Sequence, residues 1–338
     1  WQCGRIVMEL SKSGVSSPKP AKLFSSLDWN QHGGLIALAA ILLFNVIVTP
    51  NFLQAQTLAV NISQVATIAI VAMGMTLVIA TGGIDLSVGA VMALSGALAP
   101  LIFLSQFGID YPVLGLVAAL AVPIFVAMLC GLFNGAVVAY LGVQPIIATL
   151  ILFISGRGIA QVLTNGNLQT FKNPAFSYLG TGKILGLPFQ GWLAVLIAIV
   201  LALVMKRTSF GRYVLAVGGN ETAASLAGGP VKQVKIGVYV ICAALSGLAG
   251  MIVVAINSAS DAARNGDLME LDAIAAAVVG GALLSGGRAP IFGAILGAVI
   301  IQLVKYSLLA NGIEDEYALI VKALIILAAV FVQQGRRA

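Results

Sequence analysis

KRTSFGRYVLAVGGNETAASLAGGPVKQVK, residues 206–235, is a polar interruption between two long blocks of nearly continuous apolar sequence. It holds five of the chain's 18 Lys and Arg residues (Lys206, Arg207, Arg212, Lys232 and Lys235) against one acidic residue, Glu221. An island with that cationic excess, set in apolar sequence, marks the cytoplasmic face of a membrane protein, where short loops gather Lys and Arg. Within it, Asn220 is a good N-cap, Glu221 suits the positive end of a helix, and TAASLA is helix-compatible; Gly228, Gly229 and Pro230 then stop the helix. The pattern predicts about two helical turns. A helix that short is marginal alone in water, where the threshold is roughly 12 to 15 residues, so it must rest on another surface. Ala223, Ala224 and Ala227 would let such a surface approach closely. Two readings are open: a docking element for a cytoplasmic partner, or a connector packed on its own membrane domain.

The whole chain supports the membrane setting. Of its 338 residues 60% are hydrophobic and 9% charged, with a mean hydropathy of +1.05, whereas soluble domains carry roughly 25% charged residues. The formal charge of +6 would suggest nucleic acid in a soluble chain, but here the cations lie where a cytoplasmic membrane face collects them, so no nucleic-acid partner is expected. Cys3, Cys130 and Cys242 are odd in number, and the last two fall in apolar segments, which leaves no disulfide framework or metal spacing. His32 is the only histidine, so neither a histidine-based metal site nor a catalytic triad is expected. The leading WQCGRIV precedes Met8, which is the expected start. Lys12, Lys19 and Lys22 with Pro18 and Pro20 then read as a basic tail, not a cleavable signal.

A spanning helix needs about 20 apolar residues. Candidate spans lie at 33–49, 58–80, 87–105, 112–141, 145–164, 187–205, 236–257, 271–285, 289–309 and 318–333. The expected fold is therefore an all-α, polytopic transmembrane helical bundle of about ten spans. It has a cytoplasmic tail at 1–32, a membrane domain at 33–333 containing the 206–235 loop, and a short cytoplasmic tail at 334–338. The span 112–141 is long enough to be tilted or broken, with Gly131 and Gly135 as its weak point, and 271–285 is short enough to be re-entrant. An even number of spans puts both termini on one side. With that side inside, the cytoplasmic segments collect Arg5, Lys12, Lys19, Lys22, the five loop cations, Arg288, Arg336 and Arg337, and the outer face holds only Lys172, Lys183 and Arg264. Asp110, Asp261, Asp267, Glu270, Glu314, Asp315 and Glu316 fall on or at the border of the outer face. The outer loop 165–186, with Phe171, Phe176 and Tyr178, reads as a packed cap or a docking surface.

GGIDLSVG at Gly82 to Gly89 is echoed by GGALLSGG at Gly280 to Gly287, both on the inner face. The echo is either an internal repeat of the kind transporters contain or a product of glycine abundance. Asp85 in the first motif is a functional candidate, because charge near the membrane is expensive. Its structural alternative is that Asp85 and Ser87 cap the next helix close to the headgroups. Asn61, Gln64, Asn134, Asn257 and Gln302 are amides in or at the ends of spans that could, with Asp85, line a wet path for a polyhydroxylated solute. They could equally bond helix to helix. Arg157 and Lys305 sit near enough to span ends to snorkel. The sequence contains no GxxxxGK[ST] phosphate loop, Gly182 and Lys183 lacking both the upstream Gly and the following Ser or Thr. No relay of buried carboxylates is visible either, so the energy source is a partner chain or an ion gradient.

GMTLVIATGGIDLSVGAVMALSG at Gly74 to Gly96, GLFNGAVVAYLGVQPIIATL at Gly131 to Leu150, SGRGIAQ at Ser155 to Gln161, TSFGRYVLAVGGNETAASLAG at Thr208 to Gly228 and VVGGALLSGGR at Val278 to Arg288 together resemble one known family. It is that of the permease subunits of bacterial ABC importers for ribose, xylose and galactose. SGRGIAQ and LMELDAI, Leu268 to Ile274, are most similar to its galactofuranose-type branch. The resemblance implies a type II-like ABC importer permease in the bacterial inner membrane with both termini cytoplasmic, translocating a monosaccharide. The implied partners are a cytoplasmic ABC ATPase that binds the ATP and Mg, a periplasmic sugar-binding protein, and a second permease copy, identical or related. This chain would hold no cofactor and would not be an enzyme. Arg212, Gly218, Asn220, Glu221, Ala224 and Gly228 are implied as the ATPase contact. Gly229, where the family commonly has a β-branched residue, departs from the pattern. An amino-acid importer permease and a gradient-driven transporter are the competing readings.

Overall fold

The ten candidate spans each fall on a helix in the computed structural model, which describes residues 29–334. The expectations for the start at Met8, for the basic tail up to Lys22 and for the C-terminal tail lie outside the described residues. The helices run α1 Trp29–Val48, α2 Ala55–Ala80, α3 Val88–Leu104, α4 Gln106–Asp110, α5 Pro112–Tyr140 and α6 Pro145–Leu163. After the outer loop come α8 Phe189–Arg207, α9 Ser209–Gly219, α10 Glu221–Leu226, α11 Val231–Asn257, α12 Met269–Val279, α13 Ile291–Ala310 and α14 Asp315–Gln334. Within that outer loop lies α7, Pro174–Thr181. Six of these helices, α2, α5, α6, α8, α11 and α13, are long and apolar enough to cross a membrane.

The central element is α2. Every residue from Ala66 to Ala80 is buried, enclosed by α8, α11, α12 and α13. The peripheral helix α5 is as apolar, yet it turns Val113, Val117, Phe125 and Phe133 outward, as a helix facing lipid does. Close approach of helix to helix depends on small residues, since lipid tails are as apolar as the helices and only packing can favour association. That requirement corrects the expectation of a weak point in α5. The helix is unbroken through Gly131 and Gly135, because those glycines serve contact with α11: a Cβ on Gly131 would lie 2.5 Å from the Tyr239 carbonyl oxygen, and one on Gly135 2.7 Å from Ile236 Cα.

The outer loop is a packed cap. Strand β1, Gln169–Thr170, pairs antiparallel with β4, Ala259–Ser260, and a hairpin joins β2, Lys183–Ile184, to β3, Leu187–Pro188. Phe171 and Phe176 are buried against Phe103 of α3, with ring centroids 4.9 and 5.2 Å away. At the same end of the bundle α1 is tied to α13 by polar contacts, Asn45 Nδ2 donating to Ser307 Oγ at 2.6 Å and Asn311 Nδ2 to Thr49 Oγ1 at 3.1 Å.

Candidate functional site

The island opens with an element the sequence reading did not separate. Helix α9 is capped by Thr208, whose side chain accepts from Gly211 N, and it buries Val214 and Val217 against the membrane domain. The expected short helix follows as α10, with the Asn220 side chain accepting from Ala223 N at 2.9 Å. Gly228 then turns the chain with φ +77, and Gly229 N bonds back to the Ala224 carbonyl at 2.9 Å. Ala224 leans on the protein, whereas Ala223 and Ala227 are exposed and Leu226 is 86% exposed. Leu226 is thus the large apolar side chain left bare at the tip of α10. Leu226 was legible as the only large apolar side chain in ETAASLAGG.

The six residues proposed for coupling divide by role. Arg212, Asn220 and Gly228 are exposed and Ala224 is half-buried. Glu221 is committed within the chain: Lys235 Nζ donates to both of its carboxylate oxygens at 2.7 Å, which ties α10 to the start of α11. Gly218 points inward. A Cβ there would lie 1.7 Å from the Ala80 carbonyl oxygen and 2.5 Å from Gly287 N, and Gly287 N itself donates to the Ala80 carbonyl at 2.9 Å. The end of α9 is thus seated on the junction of α2 with the α12–α13 turn.

The first break carries a buried polar nest. Asp85 Oδ1 accepts from Ser87 N at 2.9 Å and from Ser87 Oγ at 2.6 Å, Asn134 Nδ2 of α5 donates to the same Oγ at 2.8 Å, and Thr149 Oγ1 of α6 accepts from Leu86 N at 3.1 Å. Asp85 sits at the entrance to α3, where Asp85, Ser87 and Asn134 are wholly buried, and the Ser87 side chain makes no capping hydrogen bond to that helix. Asp85 Oδ2, Asn134 Oδ1 and the hydroxyl of Tyr239 have no hydrogen-bond partner among the described residues. Thr149 and Tyr239 escaped the sequence reading because nothing in their local sequence distinguishes them from ordinary span residues.

The remaining path candidates do not join this nest. Gln302 Nε2 of α13 donates to Gln64 Oε1 of α2, so these two amides bond helix to helix. Asn61 donates to the Thr57 carbonyl one turn back and lines an apolar cleft of about 480 Å³ with Leu42, Val65, Ala194 and Leu303. Asn257 is exposed at the end of α11. Arg157 does not snorkel freely: its Nη1 donates to the Ala263 carbonyl at 2.6 Å, holding the segment between β4 and α12.

Comparison with known proteins accords with this architecture. Residues 58–330 match the family described as "Branched-chain amino acid transport system / permease component". The chain is 40% identical over 310 residues to the galactofuranose transporter permease protein YtfT of Escherichia coli (strain K12), covering 89% of each chain. It is 39% identical over 308 residues to the ribose import permease protein RbsC of the same organism, covering 90% of this chain and 93% of the relative. It is 34% identical over 308 residues to the fructose import permease protein FruF of Bifidobacterium longum (strain NCC 2705), covering 87% and 83%. No solved structure matches.

Proposed function

This chain belongs to the family of permease components of branched-chain amino acid type transport systems, and from that premise we propose that it is the membrane subunit of an ATP-driven importer for a monosaccharide. The sugar permeases it resembles along nearly its whole length favour a sugar over an amino acid. They also count against a gradient-driven transporter. Its partners are a cytoplasmic ABC ATPase that binds ATP and Mg and carries out hydrolysis, a sugar-binding protein on the outer side, and a second permease copy. Both termini are cytoplasmic on the cation distribution, in a bacterial inner membrane.

The observation that carries the coupling role is the seat of Gly218 on Ala80 and Gly287 beneath a helix whose other side, at Leu226, is bare. ATP binding draws the ATPase pair together, α10 moves with it, and the inner breaks follow. Such a shift yields uphill transport only when the two states differ in free energy and are coupled to hydrolysis.

The test is to tag the chain, extract it gently from its native membrane, and identify what accompanies it by mass spectrometry. Recovery of a phosphate-loop ATPase, joined by a secreted sugar-binding protein on addition of solute, supports the reading; repeated recovery of the chain alone rejects it. Leu226→Asp should abolish ATPase recovery while the chain remains inserted at the wild-type level. Undiminished recovery would remove α10 from the contact.

A further inference from the structure

The link between α11 and α12 folds back into the bundle without forming a helix. Ser258, Gly266 and Leu268 all have positive φ, at 50, 70 and 57, and residues 262–268 are turns. The link starts at the capped end of α3, where Phe171 N donates to the Ser258 carbonyl at 3.3 Å and Phe103 packs on Phe171. It reaches the opposite end of α3, where a Cβ on Gly89 would lie 2.3 Å from the Gly266 carbonyl oxygen. Fourteen residues of α3 separate Phe103 from Gly89, about 20 Å of helical rise. Asp267 and Glu270 therefore lie far deeper than the outer border the charge pattern assigned them.

Irregular backbone at membrane depth persists only against protein or against water. One side of the link meets protein. Ala262, Asn265 and Gly266 are buried, Asn265 Nδ2 donates to the Met92 carbonyl at 3.0 Å, and Arg157 holds Ala263 from α6. The other side presents Ala263, Arg264 and Asp267 outward; the Arg264 side chain is 90% exposed, with its Nε 3.9 Å from Asp261 Oδ2. The charges make lipid a costly neighbour there. On the protein side of the link, Asn265 Oδ1 and Glu270 Oε2, on residues each 5% exposed, have no hydrogen-bond partner among the described residues.

We propose that Ala263, Arg264 and Asp267 line a water-filled route through the membrane domain, and that Arg264 and Asp267 offer a guanidinium and a carboxylate to the hydroxyls of a neutral polyhydroxylated solute. The pair suits vicinal hydroxyls, since charged donors and acceptors make the stronger hydrogen bonds. The solute half of the inference rests on the importer reading; the water half does not.

Single cysteines at Ala263, Arg264 and Asp267, in a chain whose Cys3, Cys130 and Cys242 are replaced by alanine, are to be exposed in native membranes to a charged, membrane-impermeant methanethiosulfonate. Phe125→Cys on the outward face of α5 is the lipid-facing control. The expected result is labelling at all three link positions and none at Phe125→Cys. Labelling at the link only by an apolar maleimide, or not at all, would overturn the water route. For the solute half, uptake of radiolabelled ribose, galactose and fructose is measured for Arg264→Gln and Asp267→Asn at equal membrane levels. At least a tenfold rise in KM is expected for whichever sugar the wild type takes up, and an unchanged KM overturns the pairing. Labelling as expected with no uptake of any of the three sugars rejects the sugar reading while leaving the water route standing.

Discussion

The two inner breaks end their helices alike and start the next ones differently. At the end of α2, Gly82 N bonds to the Ile79 carbonyl at 2.8 Å and Gly83 N to that of Val78 at 3.1 Å; at the end of α12, Gly281 N bonds to the Val278 carbonyl at 3.0 Å and Ala282 N to that of Ala277 at 2.9 Å. Both use a left-handed glycine, Gly82 with φ +81 and Gly281 with φ +96, to satisfy the last carbonyls of a helix. Yet the echo GGIDLSVG and GGALLSGG pairs Gly82 with Gly280, one residue out of step with this equivalence. Beyond the stop the breaks diverge. The first uses Asp85 and Ser87 as a buried polar nest to launch α3. The second uses Gly286 and Gly287, with φ +88 and +80, to make room for Gly218 and the Ala80 carbonyl. A shared stop signal is local chemistry, whereas the path of the chain beyond it is set by the neighbour each break must meet.

Substitutions can break this pairing of roles. The largest effect is expected for Gly218→Val, whose Cβ would meet Ala80 and Gly287 backbone at 1.7 and 2.5 Å. Overpacking of that kind destabilises by about 3 kcal/mol and should abolish uptake, and a wild-type thermal melt in detergent would show that the breaks are not joined through α9. Ser87→Ala comes next at about 2 kcal/mol, because it strands buried hydrogen-bonding groups on Asp85 and Asn134. Its effect should shrink sharply when Asn134 is replaced as well, by Leu. Gly82→Ala should cost least, about 1 kcal/mol, since nothing lies within 4 Å of its Cβ and only the left-handed backbone resists. Gly286→Ala must exceed it, because its Cβ would lie 2.7 Å from the Gly218 carbonyl oxygen; equal melts for the two would sink the claim that the second break is shaped for α9.

Several features were readable one residue at a time. Asn220, Gly228, Gly229 and Pro230 announced α10 because capping and stopping are chemistry of neighbours in the chain. Ten hydrophobic stretches announced ten helices for the same kind of reason. The path residues were not readable in this way. Gln64 and Gln302 look alike in sequence with Asn134 and Asn257, but only folding bonds the first two to each other, sets the third beside Ser87 and leaves the fourth exposed. Gly131 and Gly135 looked like a weak point in α5, since glycine weakens a helix locally; their part in admitting α11 depends on residues a hundred positions away.

The sequence by itself determined the membrane setting, the side that gathers cations, the short capped helix of the island and the permease-family resemblance. These rest on composition, on periodicity and on residues within a turn of one another. Only the tertiary structure decided that Gly218 packs on Ala80 and Gly287, that Asp85 is buried against α5 and α6, and that the link bearing Arg264 and Asp267 folds back along α3. The physical reason is that burial and depth are properties of what a backbone packs against, and hydropathy along the chain does not record which of two equally apolar helices, α2 or α5, will be enclosed by the others.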